Sequence, residues 1–365
     1  MTTEAWEPGA FRARIDAVLR RFVAEEADLL VDVDPALGPV AAELEAAVAH
    51  GKRLRAAFCY WGWRGGGQPD SEALLRAAAS MELVHAAAVV HDDLIDASPL
   101  RHGRPTAHRA LRAAVPDHPR ADVAARSLAM LVGDLLMSLA GQLFVTSGLP
   151  AAYLARARPL WAALARDLVA GECLEILRTG AAPDTAASLK VVRYKTAKYT
   201  VEQPLLIGGT LAGAAPRLRE GYSAYGLPLG EAFQLRDDLL GLFGDPARTG
   251  KANADDLRGR RPTALFAETW RLADPVQRGR LSALLDAGEE AGTGDGTGGG
   301  SGRGEDGALD EVRALMRGLR APERVEAMIA ARVDEALGAL DGLDAPPVAV
   351  AALTSLAHAA SARLH

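Results

Sequence analysis

The sequence predicts an all-α fold. Of its 365 residues 49% are hydrophobic but only 5% are aromatic, and long runs rich in alanine, leucine, arginine and glutamate favour helix. Runs of alternating apolar and polar residues, which indicate strands, are nearly absent. Apolar residues recur instead at the spacing of three to four residues that is typical of an amphipathic helix.

Helical periodicity predicts the elements in order along the chain. The predicted helices cover residues 10–30, 39–49, 71–96, 123–145, 151–177 and 186–211, and further segments follow Pro216 and Pro262. A turn is predicted at residues 65–69, where glycines precede a proline. The stretch Ala97-Ser98-Pro99 should end the helix at 71–96, because the residue before a proline is biased away from helix.

One domain is expected to span residues 1–365. No linker rich in proline, glycine and serine divides the apolar segments before about residue 287. Residues 288–307, which are dominated by glycine, have almost nothing to bury and should form a mobile loop without a catalytic role.

Composition excludes several classes of function. The formal net charge of -6 argues against a nucleic-acid partner. The two cysteines, Cys59 and Cys173, fit neither a disulfide framework nor a zinc site, which favours a reducing compartment. The N-terminal residues lack the pattern of a signal peptide, and no charge-free apolar stretch is long enough to span a bilayer. A cytoplasmic location without a membrane span is therefore expected.

Two aspartate-rich clusters lie within apolar, helix-like sequence. The first holds Asp92, Asp93 and Asp96, and the second holds Asp237 and Asp238. In a helix the three carboxylates of the first cluster converge, because residues three and four apart are neighbours. Mg²⁺ typically combines one or two carboxylates with substrate phosphates. A Mg²⁺-bridged diphosphate is therefore the natural occupant.

A solvated polar face or a set of helix caps is the alternative for each cluster taken alone. Both clusters, however, lie inside apolar runs rather than at turns. Basic residues follow each of them, Arg101 and Arg104 after the first, Arg248 and Lys251 after the second. Carboxylates and cations together favour a metal–diphosphate site.

Several further motifs accompany the clusters in order. They are Gly51-Lys52-Arg53-Leu54-Arg55, Arg101-His102-Gly103-Arg104-Pro105-Thr106, Gly133-Asp134, Lys195-Thr196, Phe233-Gln234, Gly244-Asp245-Pro246 and Gly250-Lys251. With Asp92-Asp93-x-x-Asp96 and Asp237-Asp238, this set resembles the trans-isoprenyl diphosphate synthases of the polyprenyl synthetase family over most of the chain. The resemblance implies the isoprenoid synthase fold, a helical bundle around a central apolar cavity.

The resemblance also implies the reaction and its residues. The substrates would be isopentenyl diphosphate and an allylic diphosphate, joined by ionisation, condensation and elimination. About three Mg²⁺ ions would be held by Asp92, Asp93, Asp96, Asp237 and Asp238. The allylic diphosphate would contact Arg101, Lys195 and Lys251, isopentenyl diphosphate would contact Lys52, Arg55, His85 and His102, and Thr196 and Gln234 would supply aligned dipoles near the carbocation. A homodimer formed through packed helices is implied as well.

Without the family pattern, ordinary structural roles would be preferred for three of these residues. Lys52 and Arg55 would be a solvated basic face, and His85 would be a hydrogen-bonded helix residue.

Three departures from the family pattern have consequences. His102 stands where a second consecutive arginine is usual. Because histidine is a smaller donor that is only partly charged, the affinity for isopentenyl diphosphate should be lower. Gly241 stands where a third aspartate is frequent, which puts some metal affinity in doubt. Glu172 and Glu175 replace a glutamine and an aspartate; they would orient metal-bound waters or be ordinary polar helix positions.

Product length depends on Ala87 and Ala88, one helical turn before the first cluster. In the family bulky residues here stop elongation, so two alanines favour geranylgeranyl diphosphate or a longer product. The alternative is that the alanines only permit close helix packing.

Two other functions remain open. A class I terpene cyclase shares the fold and the ionisation step, although such enzymes usually carry an Asn/Ser/Glu metal motif on the second helix. A catalytically weak regulatory subunit of a hetero-oligomeric synthase would explain His102 and Gly241, whereas five intact aspartates argue against it.

Overall fold

A computed structural model describes residues 6–244, 257, 259–292 and 302–362, with side chains omitted at 287–292 and 302–306. The helices are α1 (Pro8–Val33), α2 (Gly38–Val48), α3 (Leu54–Gly65), α4 (Glu72–Ile95), α5 (Ala107–Ala114), α6 (Ala121–Val145), α7 (Ala151–Arg178), α8 (Thr185–Val191), α9 (Gln203–Ala212), α10 (Pro216–Phe243), α11 (Ala264–Leu272), α12 (Pro275–Gly292), α13 (Gly302–Gly318), α14 (Ala321–Leu340) and α15 (Pro347–Ser361). The all-α prediction is confirmed.

Shorter elements complete the described part of the chain. A 3₁₀ turn at Pro35–Leu37 precedes α2, and a π-helix at Val192–Glu202 lies between α8 and α9. Two short antiparallel strands, β1 (Leu100–Arg101) and β2 (Arg104–Pro105), form a hairpin.

The chain forms two compact units. The first contains Met1–Ala165, Tyr199–Ala224 and Ala339–Leu356, and the second contains Arg166–Lys198, Tyr225–Gly338 and Ala357–His365. The single domain expected from the sequence stays a prediction. The centre of the expected glycine-rich loop, residues 293–301, lies outside the described residues.

Helix α4, in the first unit, begins and ends where its local sequence indicates. The Ser71 hydroxyl caps the first turn by accepting a hydrogen bond from the Leu74 backbone N–H at 3.2 Å. After Asp96 the chain leaves the helix, and Ala97 adopts a left-handed conformation with φ 53°. The helix packs against α3 and α6, and most of its residues are buried.

Helix α3 is the main element that periodicity missed. Ten of its 12 residues are buried, so it carries no polar face and shows no amphipathic period. It packs closely on α9, because side chains are absent where the two backbones meet. A Cβ at Gly62 would overlap the Leu205 carbonyl oxygen, and one at Gly208 would overlap that of Cys59.

The hairpin turns at His102 and Gly103, which both have positive φ, 51° and 74°. Two such residues between paired strands are typical of a type I′ turn, whose twist suits a two-residue hairpin. Arg101 and Arg104 face each other across it. The motif after the first aspartate cluster therefore forms a regular two-residue hairpin rather than an irregular loop.

The second unit has its own apolar core, to which α10, α11, α13 and α14 contribute. Leu235, Leu265, Met316 and Val325 are each at most 2% exposed within it. The predicted helix at 186–211 is interrupted by the π-helix. π-helical turns within helices are frequent at functional sites.

Among the described residues, two helices are long and apolar enough to cross a membrane by length and composition. They are α4, whose most apolar window is 72% buried, and α6, at 44% buried. Core helices of globular proteins pass the same test, so this observation is weak evidence for a membrane span.

Candidate active site

The first aspartate cluster lies at the C-terminal end of α4. Asp93 is buried, whereas Asp92 and Asp96 are half-buried. Arg101 Nε donates to both carboxylate oxygens of Asp93, at 3.0 and 3.3 Å. Its Nη2 reaches Asp92 Oδ2 at 3.3 Å and also contacts Asp93. The C-terminal end of a helix repels negative charge. The Arg101 guanidinium offsets this repulsion and stabilises the carboxylates of Asp92 and Asp93.

Beside this cluster, α6 approaches α4 at a glycine. A Cβ on Gly133 would overlap the imidazole of His91. That ring lies 3.2 Å from the Met130 carbonyl oxygen and 3.4 Å from Asp134 Oδ1. The Gly133-Asp134 motif therefore holds the imidazole of His91, the residue that immediately precedes the aspartates, in one position.

In the early basic motif, residues 51–55, one basic side chain is buried against protein atoms and another is exposed. Arg53 is 4% exposed; its Nε donates to Asp16 at 2.6 Å and its Nη2 to the Val48 carbonyl oxygen at 2.5 Å. Lys52 is exposed. The structure thus explains why the motif needs a basic residue between the two that are expected to bind substrate.

Arg55 is buried, at 7% exposed. Its Nη2 donates to the Tyr199 hydroxyl at 2.5 Å and to Thr200 Oγ1 at 2.9 Å, and its guanidinium lies 4.3 Å from the centroid of the Tyr199 ring. Neither partner was predicted from the sequence. These contacts fix the orientation of Arg55 and exclude a freely solvated basic face at this residue.

His85 joins the same group. Its Nδ1 lies 3.3 Å from the Tyr199 hydroxyl. Burial, and then the positive charges of Arg55, Arg101, Arg53 and His102, hold the pKa of His85 well below its usual range. The imidazole is therefore neutral at physiological pH, when it has one donor and one acceptor nitrogen.

In the second unit, two glycines bring helices onto the π-helix. A Cβ on Gly171 of α7 would overlap the backbone of Lys195, and one on Gly230 of α10 would overlap the backbone of Ala197. Both flanking helices therefore reach the Lys195-Thr196 motif at backbone contact distance.

Lys195 lies between two carboxylates of α7. Its Nζ is 2.9 Å from Glu172 Oε2 and also contacts Glu175. The three side chains are 15–20% exposed. The two glutamates that depart from the family pattern therefore position the lysine.

A hydrogen-bonded chain runs from the π-helix to the second aspartate cluster. Thr196 Oγ1 donates to Gln234 Oε1 at 2.7 Å, and Gln234 Nε2 donates to Asp238 Oδ1 at 2.8 Å. This pattern fixes the direction of the Gln234 amide dipole. Asp238 is buried, whereas Asp237, on the next position of α10, is exposed.

Within each unit, the structure brings most of the predicted site residues together. The first unit gathers the first aspartate cluster and Arg101, and places Arg55 beside His85; the second gathers Lys195 and the Thr196–Gln234–Asp238 chain. Gly241 lines a small cavity beside Asp238. Lys251 lies outside the described residues.

The match to known proteins agrees with these motifs. The profile of the polyprenyl synthetase family matches residues 40–294. The chain belongs to the polyprenyl synthetase family. Both aspartate clusters, the early basic motif and the Lys195-Thr196 motif fall within the matched range.

Relatives within this family differ in the products for which they are named. The (2E,6E)-farnesyl diphosphate synthase of Mycobacterium tuberculosis is 34% identical over 233 residues, 63% of this chain and 59% of the relative. The octaprenyl diphosphate synthase of Escherichia coli is 28% identical over 239 residues, 65% of this chain and 68% of that relative. The chain thus spans less than two thirds of the length of the mycobacterial relative.

A solved structure extends the likeness to nearly the whole chain. The geranylgeranyl pyrophosphate synthase of Corynebacterium glutamicum, complexed with isoprenyl diphosphate and magnesium, is 31% identical with a TM-score of 0.88, covering 98% of this chain and 100% of that one. The chain has the isoprenoid synthase fold, as the sequence resemblance predicted.

Proposed function

We propose that the chain is a Mg²⁺-dependent trans-prenyltransferase that condenses isopentenyl diphosphate with an allylic diphosphate. The observation that carries the proposal is the likeness to a geranylgeranyl pyrophosphate synthase that holds isoprenyl diphosphate and magnesium. The arrangement of the polar residues in each unit supports it.

The donor set fits magnesium. Asp92, Asp93, Asp96, Asp237 and Asp238 offer carboxylate oxygens, the ligands that this hard ion prefers. These residues would hold the metal. When bound, Mg²⁺ supplies positive charge that neutralises a departing diphosphate.

Two basic residues bind and stabilise the allylic diphosphate. Lys195, positioned by Glu172 and Glu175, and Arg101, at the hairpin, donate to the oxygens on which charge develops as the carbon–oxygen bond breaks. Fixed cationic donors are effective here because they require no reorganisation during the reaction. Lys251 is proposed as a third donor from the sequence resemblance.

Lys52, Arg55, His85 and His102 bind isopentenyl diphosphate. Arg55 is preorganised by Tyr199 and Thr200, so little side-chain entropy is lost when it meets the diphosphate. The neutral His85 donates one hydrogen bond without adding charge.

The carbocation is stabilised by oriented dipoles rather than by charge. The amide oxygen of Gln234 accepts a hydrogen bond from the Thr196 hydroxyl, while the amide nitrogen of Gln234 donates to Asp238. The hydroxyl oxygen of Thr196 and the amide oxygen of Gln234 are therefore held in fixed directions. The proton lost at the end passes to the departing diphosphate, as the family resemblance implies. The apolar cavity that the family resemblance implies would keep water from the cation.

The product is proposed to be geranylgeranyl diphosphate or longer. Ala88 is half-buried, whereas Ala87 is 0% exposed. Of the two small residues that the resemblance places along the growing chain, Ala88 is the one with accessible surface in the first unit.

The proposed enzyme is a cytoplasmic homodimer. Helix α6 exposes Val123, Met130, Leu131 and Val145, which fall on one face at helical spacing. A second copy of the chain is the proposed occupant of this face. Light scattering after size exclusion should give twice the chain mass of 38.3 kDa; a monomer at micromolar concentration would refute the dimer.

Release of diphosphate tests the proposed reaction. The purified chain should release it from an allylic substrate only when both isopentenyl diphosphate and Mg²⁺ are present, and chelation should abolish release. Asp92→Asn and Asp238→Asn should each reduce the rate more than a hundredfold, about 3 kcal/mol in transition-state stabilisation. Turnover of the allylic substrate alone to a cyclic product would indicate a cyclase, and no turnover would indicate a regulatory subunit.

A further inference from the structure

Two histidines meet where the end of α2 approaches the β1–β2 hairpin. The ring centroids of His50 and His102 lie 6.3 Å apart, at an interplanar angle of 64°. Both residues are exposed. His102 is at the hairpin turn, and His50 is two residues before Lys52. The family resemblance assigns substrate roles to Lys52 and His102 but none to His50.

The charge of the hairpin also acts on α2. Burial raises the pKa of Glu43, and the nearby charge of Arg104 opposes that shift. His50 lies two residues beyond Val48, the last residue of α2. The charge of Arg104 thus acts on Glu43 of α2, while the ring of His102 lies beside the ring of His50 just beyond the end of that helix.

Three arginines in this region donate to protein atoms. Arg53 donates to Asp16 and Val48, Arg55 to Tyr199 and Thr200, and Arg101 to the aspartates of α4. The exposed donors beside them are Lys52 and the two imidazoles. The charges of Arg53, Arg55, Arg101 and His102 all act on the pKa of His85, so these basic residues lie close to one another, and a cluster of positive charge attracts anions.

We propose that His50 is a further substrate-binding residue, which donates together with His102 to the diphosphate of isopentenyl diphosphate. An arginine offers two parallel N–H donors to a phosphate, whereas one imidazole offers a single donor to a given oxygen. Two adjacent imidazoles therefore compensate in part for the missing arginine fork. This inference rests on the proposed function, and it explains how His102 is tolerated at a position where arginine is usual.

The variant His50→Phe tests the inference because it keeps an aromatic ring against His102 but removes both ring nitrogens. The Michaelis constant for isopentenyl diphosphate should rise about tenfold, the effect of one charge-assisted hydrogen bond. The constant for the allylic substrate, kcat and the melting temperature should not change. His358→Phe, at an exposed histidine of α15, is the matched control and should behave as the wild type.

The arginine variant gives a second measurement. In a His102→Arg background, His50→Phe should raise the same constant less, because the fork is restored. An unchanged constant for isopentenyl diphosphate in an active enzyme would overturn the inference. So would an equal rise for both substrates or a lower melting temperature, since either would make His50 only a support for the hairpin.

Failure of the proposed function would look different, because the wild type itself would not turn over. Titration calorimetry with inorganic pyrophosphate then tests His50 directly. Binding about tenfold weaker in His50→Phe than in the wild type supports the anion site. Equal binding overturns it.

Discussion

Removing Arg101 should destabilise the end of α4. Arg101→Ala leaves Asp93, whose side chain is 5% exposed, without its guanidinium partner. Removing one member of a buried ion pair costs about 3 to 5 kcal/mol. The Arg101 side chain is 19% exposed, so in the variant water can partly solvate the Asp93 carboxylate in place of the guanidinium. We therefore expect a loss at the low end of that range, about 3 kcal/mol.

Urea denaturation followed by far-ultraviolet circular dichroism measures this loss. Arg101→Lys is the matched control, because it keeps the charge but loses the fork that binds Asp92 and Asp93; it should cost about 1 kcal/mol. Since Mg²⁺ would bind the same carboxylates, its addition should recover stability in Arg101→Ala more than in the wild type. Equal denaturation midpoints for the wild type and Arg101→Ala would refute this reasoning.

Three further predictions concern substrates and metal. Ala88→Phe should shorten the product, as read by mass spectrometry after dephosphorylation, with little loss of stability; Ala87→Phe should also shorten it but cost about 1 to 3 kcal/mol, because the site is fully packed. Unchanged product length in both would contradict the elongation model. Gly241→Asp should lower the Mg²⁺ concentration for half-maximal rate, and an unaltered titration would show that Asp237 and Asp238 suffice. His102→Arg should lower the Michaelis constant for isopentenyl diphosphate in steady-state kinetics, whereas no change would contradict the weaker grip expected of histidine.

Local sequence signals predicted α4 and its aspartates well. The predicted helix at 71–96 differs by one residue at each end from the observed Glu72–Ile95. Ser71 caps the start, and the sequence before Pro99 cannot continue the helix. Signals of this kind act within a few residues, so they can be recognised without knowledge of the fold.

Helix α3 and the hairpin were harder to predict. Burial on all sides removes the alternation of apolar and polar residues from which a helix is recognised. The strands of the hairpin are two residues long, too short for an alternating pattern, although His102-Gly103 between them is compatible with a tight turn.

Partners distant in sequence could not be predicted from local patterns. Arg55 meets Tyr199 across 144 residues, and only the packing of α3 against the segment that leads into α9 brings them together. The roles of Gly171 and Gly230 likewise depend on tertiary packing, since these glycines matter only where two other helices pack on the π-helix. Lys195 and Thr196 were recognised as a motif, but their orientation required the structure.

The most direct test of the proposed chemistry is product analysis. The purified chain is incubated with Mg²⁺, isopentenyl diphosphate and, separately, five-, ten- and fifteen-carbon allylic starters, and the dephosphorylated products are identified by mass spectrometry. Linear alcohols of twenty carbons or more are predicted, formed only with metal and both substrates. Cyclic hydrocarbons from one substrate, or no product from any starter, would contradict the assignment of the two aspartate clusters to prenyl chain elongation.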